Sequence, residues 1–183
     1  MQERDSMPQP PMPRSGRRTA AAVAGLLALA AAGLPAPAAA TELKSAGEVI
    51  AADRDAMAQC LGESGRAPSA CIGSIALVCA RRDEGDRRAA EIACSRREVA
   101  VWRERMTSAI AALDGKLDGA ARTHFTAVQQ AWESYADLNC SFISQAFPAS
   151  PRAAVFEAGC ELREVAERTI HVERLLRRLS ETR

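Results

Sequence analysis

Beyond about residue 45 the apolar positions recur three, four and seven residues apart, and the strict alternation of a strand is scarce. That rhythm places them on single faces of helices. A first helix is predicted from about Ala46 to Leu61, ended by the two glycines and the proline of Gly62–Pro68. A second begins at Pro68-Ser69 and carries Cys71, Ile72, Ile75, Leu77, Val78 and Cys79. Glu84-Gly85-Asp86 marks the next turn, with Gly85 suited to a left-handed helix end and Asp86 to capping the next helix. A long third helix aligns Ile92, Val99, Trp102, Met106, Ala109 and Leu113, and breaks between Asp114-Gly115 and Asp118-Gly119. In the fourth, Phe125, Val128, Trp132, Tyr135, Phe142 and Ala146 form one stripe, closed by the turn between Pro148 and Pro151. The last helix aligns Val155, Leu162, Val165, Thr169, Val172, Leu176 and Leu179. Arg174, Arg177, Arg178 and Arg183 crowd its carbonyl end, where positive charge suits the helix dipole. Short connections make sequential helices antiparallel neighbours. The expected fold is all-α, a small antiparallel bundle of about five helices, three long and two short.

The first forty residues are different. A polar, proline-rich start is followed by Arg14, Arg17 and Arg18, an apolar run from Ala20 to Leu34, and small residues at Ala38 and Ala40. These are the parts of a secretory signal peptide. The apolar run is shorter than the roughly 20 residues that span a bilayer. Cleavage is expected after Ala40, leaving a domain over residues 41–183 with no stable membrane insertion. Thr19-Ala20-Ala21 does not continue Arg17-Arg18 as a twin-arginine signal does, so the general secretory route is expected. Met7 or Met12 as the start would give a more ordinary signal length. The protein is therefore expected in the periplasm or secreted.

Six cysteines, Cys60, Cys71, Cys79, Cys94, Cys140 and Cys160, all follow Ala40. An even number in an exported small domain reads as a disulfide framework. The chain has no C-x-x-C, so zinc ribbons, thioredoxin-type redox sites and c-type haem attachment lack their signature. Six cysteines allow fifteen pairings. The hairpin reading favours the sequential one, since Cys60 and Cys71, Cys79 and Cys94, and Cys140 and Cys160 each flank a predicted turn. Other pairings remain open at this level.

Formal net charge is +1. Removing residues 1–40 takes away four arginines and two acids and brings the rest to −1. Such a balance gives no electrostatic footprint for nucleic acid. Glu167 and His171 share a helix face at a spacing that can chelate a metal, but no third ligand accompanies them, and the spacing is also that of a surface ion pair. Glu161, Glu164 and Glu167 read as a solvated face. No G-x-S-x-G and no glycine-rich phosphate loop is present, and Ser134 and Ser141 have no recognisable base. No catalytic residues, cofactor or metal are expected, and the chain does not read as an enzyme. Trp102, Trp132 and Tyr135 lie on apolar stripes, where core packing accounts for them.

One segment carries more than periodicity. Gln129-Gln130-Ala131-Trp132-Glu133-Ser134-Tyr135-Ala136-Asp137-Leu138-Asn139-Cys140 resembles the motif of the lysozyme inhibitor LprI-like family of exported bacterial domains. The resemblance extends upstream to Cys94, Glu98 and Trp102, and downstream to Cys160, Glu167-Arg168 and Leu175, covering about Cys60 to Leu179. Ala136 departs from the usual arginine, and Asn139 from a common acid. The resemblance implies the all-α fold; on physical grounds its motif residues Gln129, Trp132, Tyr135 and Asp137 are expected to serve structural roles. It also implies lysozyme as a protein partner. The function expected on this basis is a binding protein that occludes the lysozyme cleft. Arg66 and Arg152, on the loops near Gly62–Pro68 and Pro148–Pro151, are the candidate contacts for the carboxylates of that cleft. The alternative is an envelope structural or interaction protein with another partner and no lysozyme role. The near-neutral charge favours that alternative slightly, because inhibitors of basic lysozymes gain from acidity.

Overall fold

The computed structural model describes residues 51–182. The signal segment, the cleavage site after Ala40 and the first turn of the helix expected from Ala46 lie outside the described residues. Helix α1 covers 51–62. A short 3-10 turn, Pro68–Cys71, leads to α2, Ser74–Arg82, followed by α3, Arg87–Asp114, α4, Gly119–Ala146, and α5, Ala153–Glu181. There is no strand among the described residues. None of their helices is long and apolar enough to cross a membrane. The all-α bundle of three long and two short helices is the observed architecture.

The long helices α3 and α5 pack against each other most extensively. Helix α2 lies on α3, and α4 lies on α5 rather than on its sequence neighbour α3. The core sits where α3 and α5 meet the short elements. Trp102, Val101 and Met106 of α3 pack with Val165, Ala166 and Ile170 of α5, with Met57 of α1 and with Ile75 of α2. A smaller cluster around Leu113 and Val172 continues it to the far end. Helix α4 contributes little to this core; only Gln129 and Cys140 along it are buried.

The starts of α3 and α4 have identifiable causes. Asp86 caps α3, its carboxylate accepting from the backbone N–H groups of Arg88 at 2.8 Å and Ala89 at 3.0 Å. Asp118 caps α4 through Ala121 N–H at 2.8 Å. The α3–α4 turn carries no disulfide. Arg122 ties it instead, with its guanidinium donating to the carbonyls of Asp114 at 2.9 Å and Leu117 at 3.1 Å and pairing with the Asp114 carboxylate at 2.8 Å. Two expectations are corrected here. The second helix does not run on from Pro68, because Gly73, at φ 90°, breaks the chain between the 3-10 turn and α2. The left-handed glycines are Gly65 and Gly73, not Gly85.

The start of α2 is satisfied from outside the helix. Glu98 of α3 is fully buried. Its carboxylate accepts from the backbone N–H groups of Gly73 at 2.7 Å, Ile75 at 3.0 Å and Ala76 at 2.8 Å, and from the indole N–H of Trp102 at 3.0 Å. First-turn N–H groups have no partner within their own helix, and neither Gly73 nor Ser74 caps with its side chain. A buried carboxylate needs several donors to offset its lost hydration. Here each deficit answers the other, and the positive end of the helix dipole adds to the match.

Helix α1 is fastened by charge. Arg97 grips buried Asp53 through both of its carboxylate oxygens, its Nη2 reaching Oδ1 at 2.7 Å. That hydrogen bond raises the Arg97 pKa above its ordinary value against the opposing effect of burial. Arg54 pairs with Glu104 at 2.8 Å nearby. Three bridges staple consecutive cysteines: Cys60–Cys71 across the first loop, Cys79–Cys94 joining α2 to α3, and Cys140–Cys160 joining α4 to α5. A disulfide typically contributes about 2–4 kcal/mol, a substantial help to a domain whose fourth helix buries little.

Replacing Glu98 with Gln keeps the shape but turns an amide donor toward donors. Urea unfolding of Glu98→Gln is expected to show a loss of about 2–3 kcal/mol, and Glu98→Ala a loss of more than about 3 kcal/mol. Two carboxyls sit below their ordinary values: Asp86, through the N–H groups of Ala89 and then Arg88, and Glu91, through its hydrogen bond from Arg87 and then Arg152. Their contribution is fully present above the ordinary values of 3.8 and 4.5 and is lost as the pH falls through the lower folded values. Acid titration followed by circular dichroism is expected to show Asp86→Ala flattening that part of the curve.

Candidate functional site

The residues singled out in the fourth helix divide between two faces. Phe125, Trp132 and the inward neighbours Gln129 and Cys140 turn toward α5, whereas Val128, Tyr135 and Phe142 are exposed. The single stripe read along this helix is therefore two adjacent ones. Core packing accounts for Trp102, which is fully buried, and partly for Trp132, but not for Tyr135, which is 55% exposed.

Arg168 of α5 holds the inward stripe. Its guanidinium lies over the rings of Trp132 at 5.7 Å and Phe125 at 5.9 Å, and its Nε donates to the Gln129 side-chain oxygen at 2.9 Å. The Gln129 amide continues to the sulfur of Met106 on α3 at 3.5 Å. Burial among these groups lowers the Arg168 pKa. A planar cation between two rings suits the stacking that arginine performs and lysine does not. Gln129 and Trp132 thus fix how α4 sits on α5. Cys140–Cys160 and the hydrogen bond from Asn139 to Glu164 at 3.1 Å fix the next turns.

Beside Trp132 this arrangement leaves a groove between α4 and α5, a cavity of about 330 Å³. Glu133 and Asp137 line it from α4, and Glu157 and Glu161 from α5, with Ala136, Cys140 and Val165 at its base. Arg103 of α3 is the one cation lining it, and it pairs with Glu161 at 3.3 Å. Among the described residues, Glu133, Asp137 and Glu157 have no cationic partner within 4.0 Å. A cleft lined by one sign of charge against low-dielectric walls focuses a field. A larger cavity of about 510 Å³ lies among α1, α3 and α5, but four of its five charged side chains pair with each other as Arg54–Glu104 and Arg105–Glu173, leaving Asp55. No group of three or more His, Cys, Asp or Glu side chains among the described residues is placed to hold a metal ion.

The family model for the lysozyme inhibitor LprI matches residues 79–171, just over half of the 183-residue chain. The chain belongs to the LprI family. The match is narrower than the resemblance read from the sequence. It takes in α3, α4 and most of α5 with Cys79, Cys94, Cys140 and Cys160, and leaves out α1 and the Cys60–Cys71 bridge. An uncharacterized 17.7 kDa protein in the puhA 5' region of Rhodobacter capsulatus is 32% identical over 118 residues, 57% of this chain and 73% of that protein. No solved structure matches.

In this chain the matched segment builds both the Arg168 clamp and the acidic groove. Asp137 lines the groove; Tyr135 does not, and points elsewhere on α4. Arg66 and Arg152 are not brought together. Arg66 pairs with Glu63 at 2.6 Å beside the Cys60–Cys71 bridge. Arg152 pairs with Glu91 of α3 at 2.9 Å and lies over the Phe156 ring. Glu161, read as solvated surface, is a groove residue. Sequence reasoning also passed over Glu133, Glu157 and Arg103. The available signal was the pair of acidic (i, i+4) repeats, Glu133 with Asp137 and Glu157 with Glu161, on two helices joined by one short turn. Like charges at that spacing are mildly unfavourable in a helix, so two facing pairs stand out.

Arg168→Lys is expected to loosen α4 from α5 by about 1–2 kcal/mol through the lost stacking and the lost bond to Gln129. Native-state hydrogen exchange should show this as reduced protection in α4 with α3 little changed.

Proposed function

We propose that this protein is exported and binds lysozyme outside the cytoplasm, in the periplasm or after secretion, inhibiting it by covering the cleft. The contact surface in this reading is the acidic groove between α4 and α5. The observation that carries it is the concentration of four carboxylates around the half-buried ring of Trp132, on a chain whose formal charge is close to zero. Membership of the LprI family supports lysozyme as the partner. Three disulfides and the sequence features of a signal peptide support export.

The near-neutral total charge told against a basic partner at the sequence level. Its distribution in space changes that argument, because steering depends on the local potential more than on the sum. Carboxylates on the inhibitor do not suit insertion between the catalytic carboxylates of a lysozyme, where like charges would meet. They suit the basic surface around that cleft, with the helical body of the inhibitor lying across its mouth. Trp132 at the groove wall supplies the kind of aromatic that anchors protein interfaces. Arg66 and Arg152, the alternative contacts, would each have to leave a carboxylate of their own chain to reach one on lysozyme. That cost favours the groove.

The test is titration of the oxidised protein into a c-type lysozyme acting on a peptidoglycan suspension. Stoichiometric inhibition is expected, weakened by salt and lost on reduction of the disulfides. Asp137→Lys with Glu157→Lys should weaken it at least about tenfold, a change of about 1.4 kcal/mol. Arg66→Ala with Arg152→Ala should leave it unchanged. Absence of inhibition by folded, oxidised protein would move the reading to an envelope interaction module with another partner. Loss of inhibition in the arginine variant alone would move the contact to the loops.

A further inference from the structure

The flank of α4 turned away from the acidic groove is apolar and open. Val128, Ala131, Tyr135, Leu138 and Phe142 follow one another at spacings of three, four, three and four, and all are exposed. Leu138 is 70% and Phe142 65% exposed. Alternating three and four is the repeat of a seam that packs against another helix, knobs into holes. The stripe runs over fifteen residues, Val128 to Phe142, about 21 Å of helix. No element of the described fold covers it, and a helix on this face must come from outside it.

We propose that a second copy of the chain covers this face, α4 against α4 in antiparallel fashion, making the protein a symmetric dimer. Two observations select this occupant. The first is charge. Between Arg122 and Arg152 the formally charged side chains, with His124 counted neutral, are Glu133 and Asp137, and both belong to the groove flank. Beside the stripe stand Ala127, Ser134, Ser141 and Gln145. A twofold axis sets a surface against itself, so charges on it would meet their own sign. From Val128 to Phe142 the stripe itself has none, on a chain that is 26% charged, and it offers a basic partner no carboxylate.

The second observation is size. In an antiparallel seam with its axis between Ala136 and Asp137, Tyr135 faces Leu138 of the second copy. In the same register Ala131 faces Phe142, the smallest residue of the stripe against one of its two aromatic rings. Such alternation keeps two helices at even separation. A parallel pairing would set Ala131 on Ala131 and Phe142 on Phe142, pinching one end and splaying the other. Phe147 and Phe156, both at least half exposed, stand past the end of α4 beside Arg163 and Glu164, with Arg152 over the Phe156 ring. At about 150–250 Å² for a whole aromatic side chain, the exposed parts of these two rings, of Tyr135 and of Phe142, with Leu138 and Val128, come to roughly 600 Å². That is most of the roughly 800 Å² per partner of a standard interface. Because the groove occupies the other flank of α4, the dimer leaves both grooves open. The proposal is independent of what those grooves bind.

Sedimentation of the oxidised protein purified from the envelope of an expressing bacterium is expected to show a dimer at about 100 μM. Leu138→Glu and Tyr135→Lys should each be monomeric with unchanged helix content. Mixed together, they should pair, since the new carboxylate of one then faces the new ammonium of the other. A monomeric wild type, a Leu138→Glu variant that stays dimeric, or two variants that remain apart on mixing would overturn the proposal.

Discussion

The fold depends on one buried carboxylate. Glu98 stands at the middle of the helix that touches most of the core, and four donors converge on it. Three of them are the backbone start of α2, and the fourth is the ring of the largest fully buried side chain, Trp102. Without Glu98 the first turn of α2 would leave N–H groups buried and unpaired. Without α2 the carboxylate would be an uncompensated charge in an apolar core. The dependence is mutual, so the position of α2 along α3 is set by hydrogen bonding as well as by shape. Apolar packing alone would let a nine-residue helix slide. The Cys79–Cys94 bridge then locks the other end of the same contact.

Helix α4 obeys different rules. It buries almost nothing in the core and is held by a cation between two rings, by one amide and by a disulfide. These attachments use one face and leave two flanks of opposite character. One flank is acidic and borders a groove; the other is uncharged and apolar. A helix that carried the core could not differ so much from side to side, because its surface would be committed to packing. Peripheral attachment frees α4 for recognition, and rigid attachment keeps what it presents in a fixed geometry.

Much of the architecture was legible in the sequence. Most positions of the stripes read along α3 and α5 are buried, and Asp86 announces the helix it caps. The cysteines flank the turns that they staple. Errors arose where neighbouring residues could not carry the information. Gly73 reads as an ordinary helical glycine until the Glu98 carboxylate, twenty-five residues away, is seen to occupy the space beyond it. Tyr135 and Trp132 sit three apart on the same apparent stripe, yet only one faces α5; the angle between them is small, and the docking of α5 decides which is covered. The groove was hidden for a related reason. Its four acids come from two helices, and each pair alone resembles solvated surface. Arg168 was visible only through the family resemblance, since its stacking partners lie on another helix.

The sequential pairing of the cysteines has a consequence for how the oxidised chain is made. The bridges close segments of 11, 15 and 20 residues, and none interleaves with another. A polypeptide appears amino-terminus first, so each thiol meets its proper partner before the next pair emerges. Indiscriminate oxidation in order of appearance therefore yields the native connectivity, and shuffling of wrong bridges is not required. A chain with nested or crossed bridges would have to hold its early thiols reduced until late ones arrived. This one can be secured hairpin by hairpin during its own arrival.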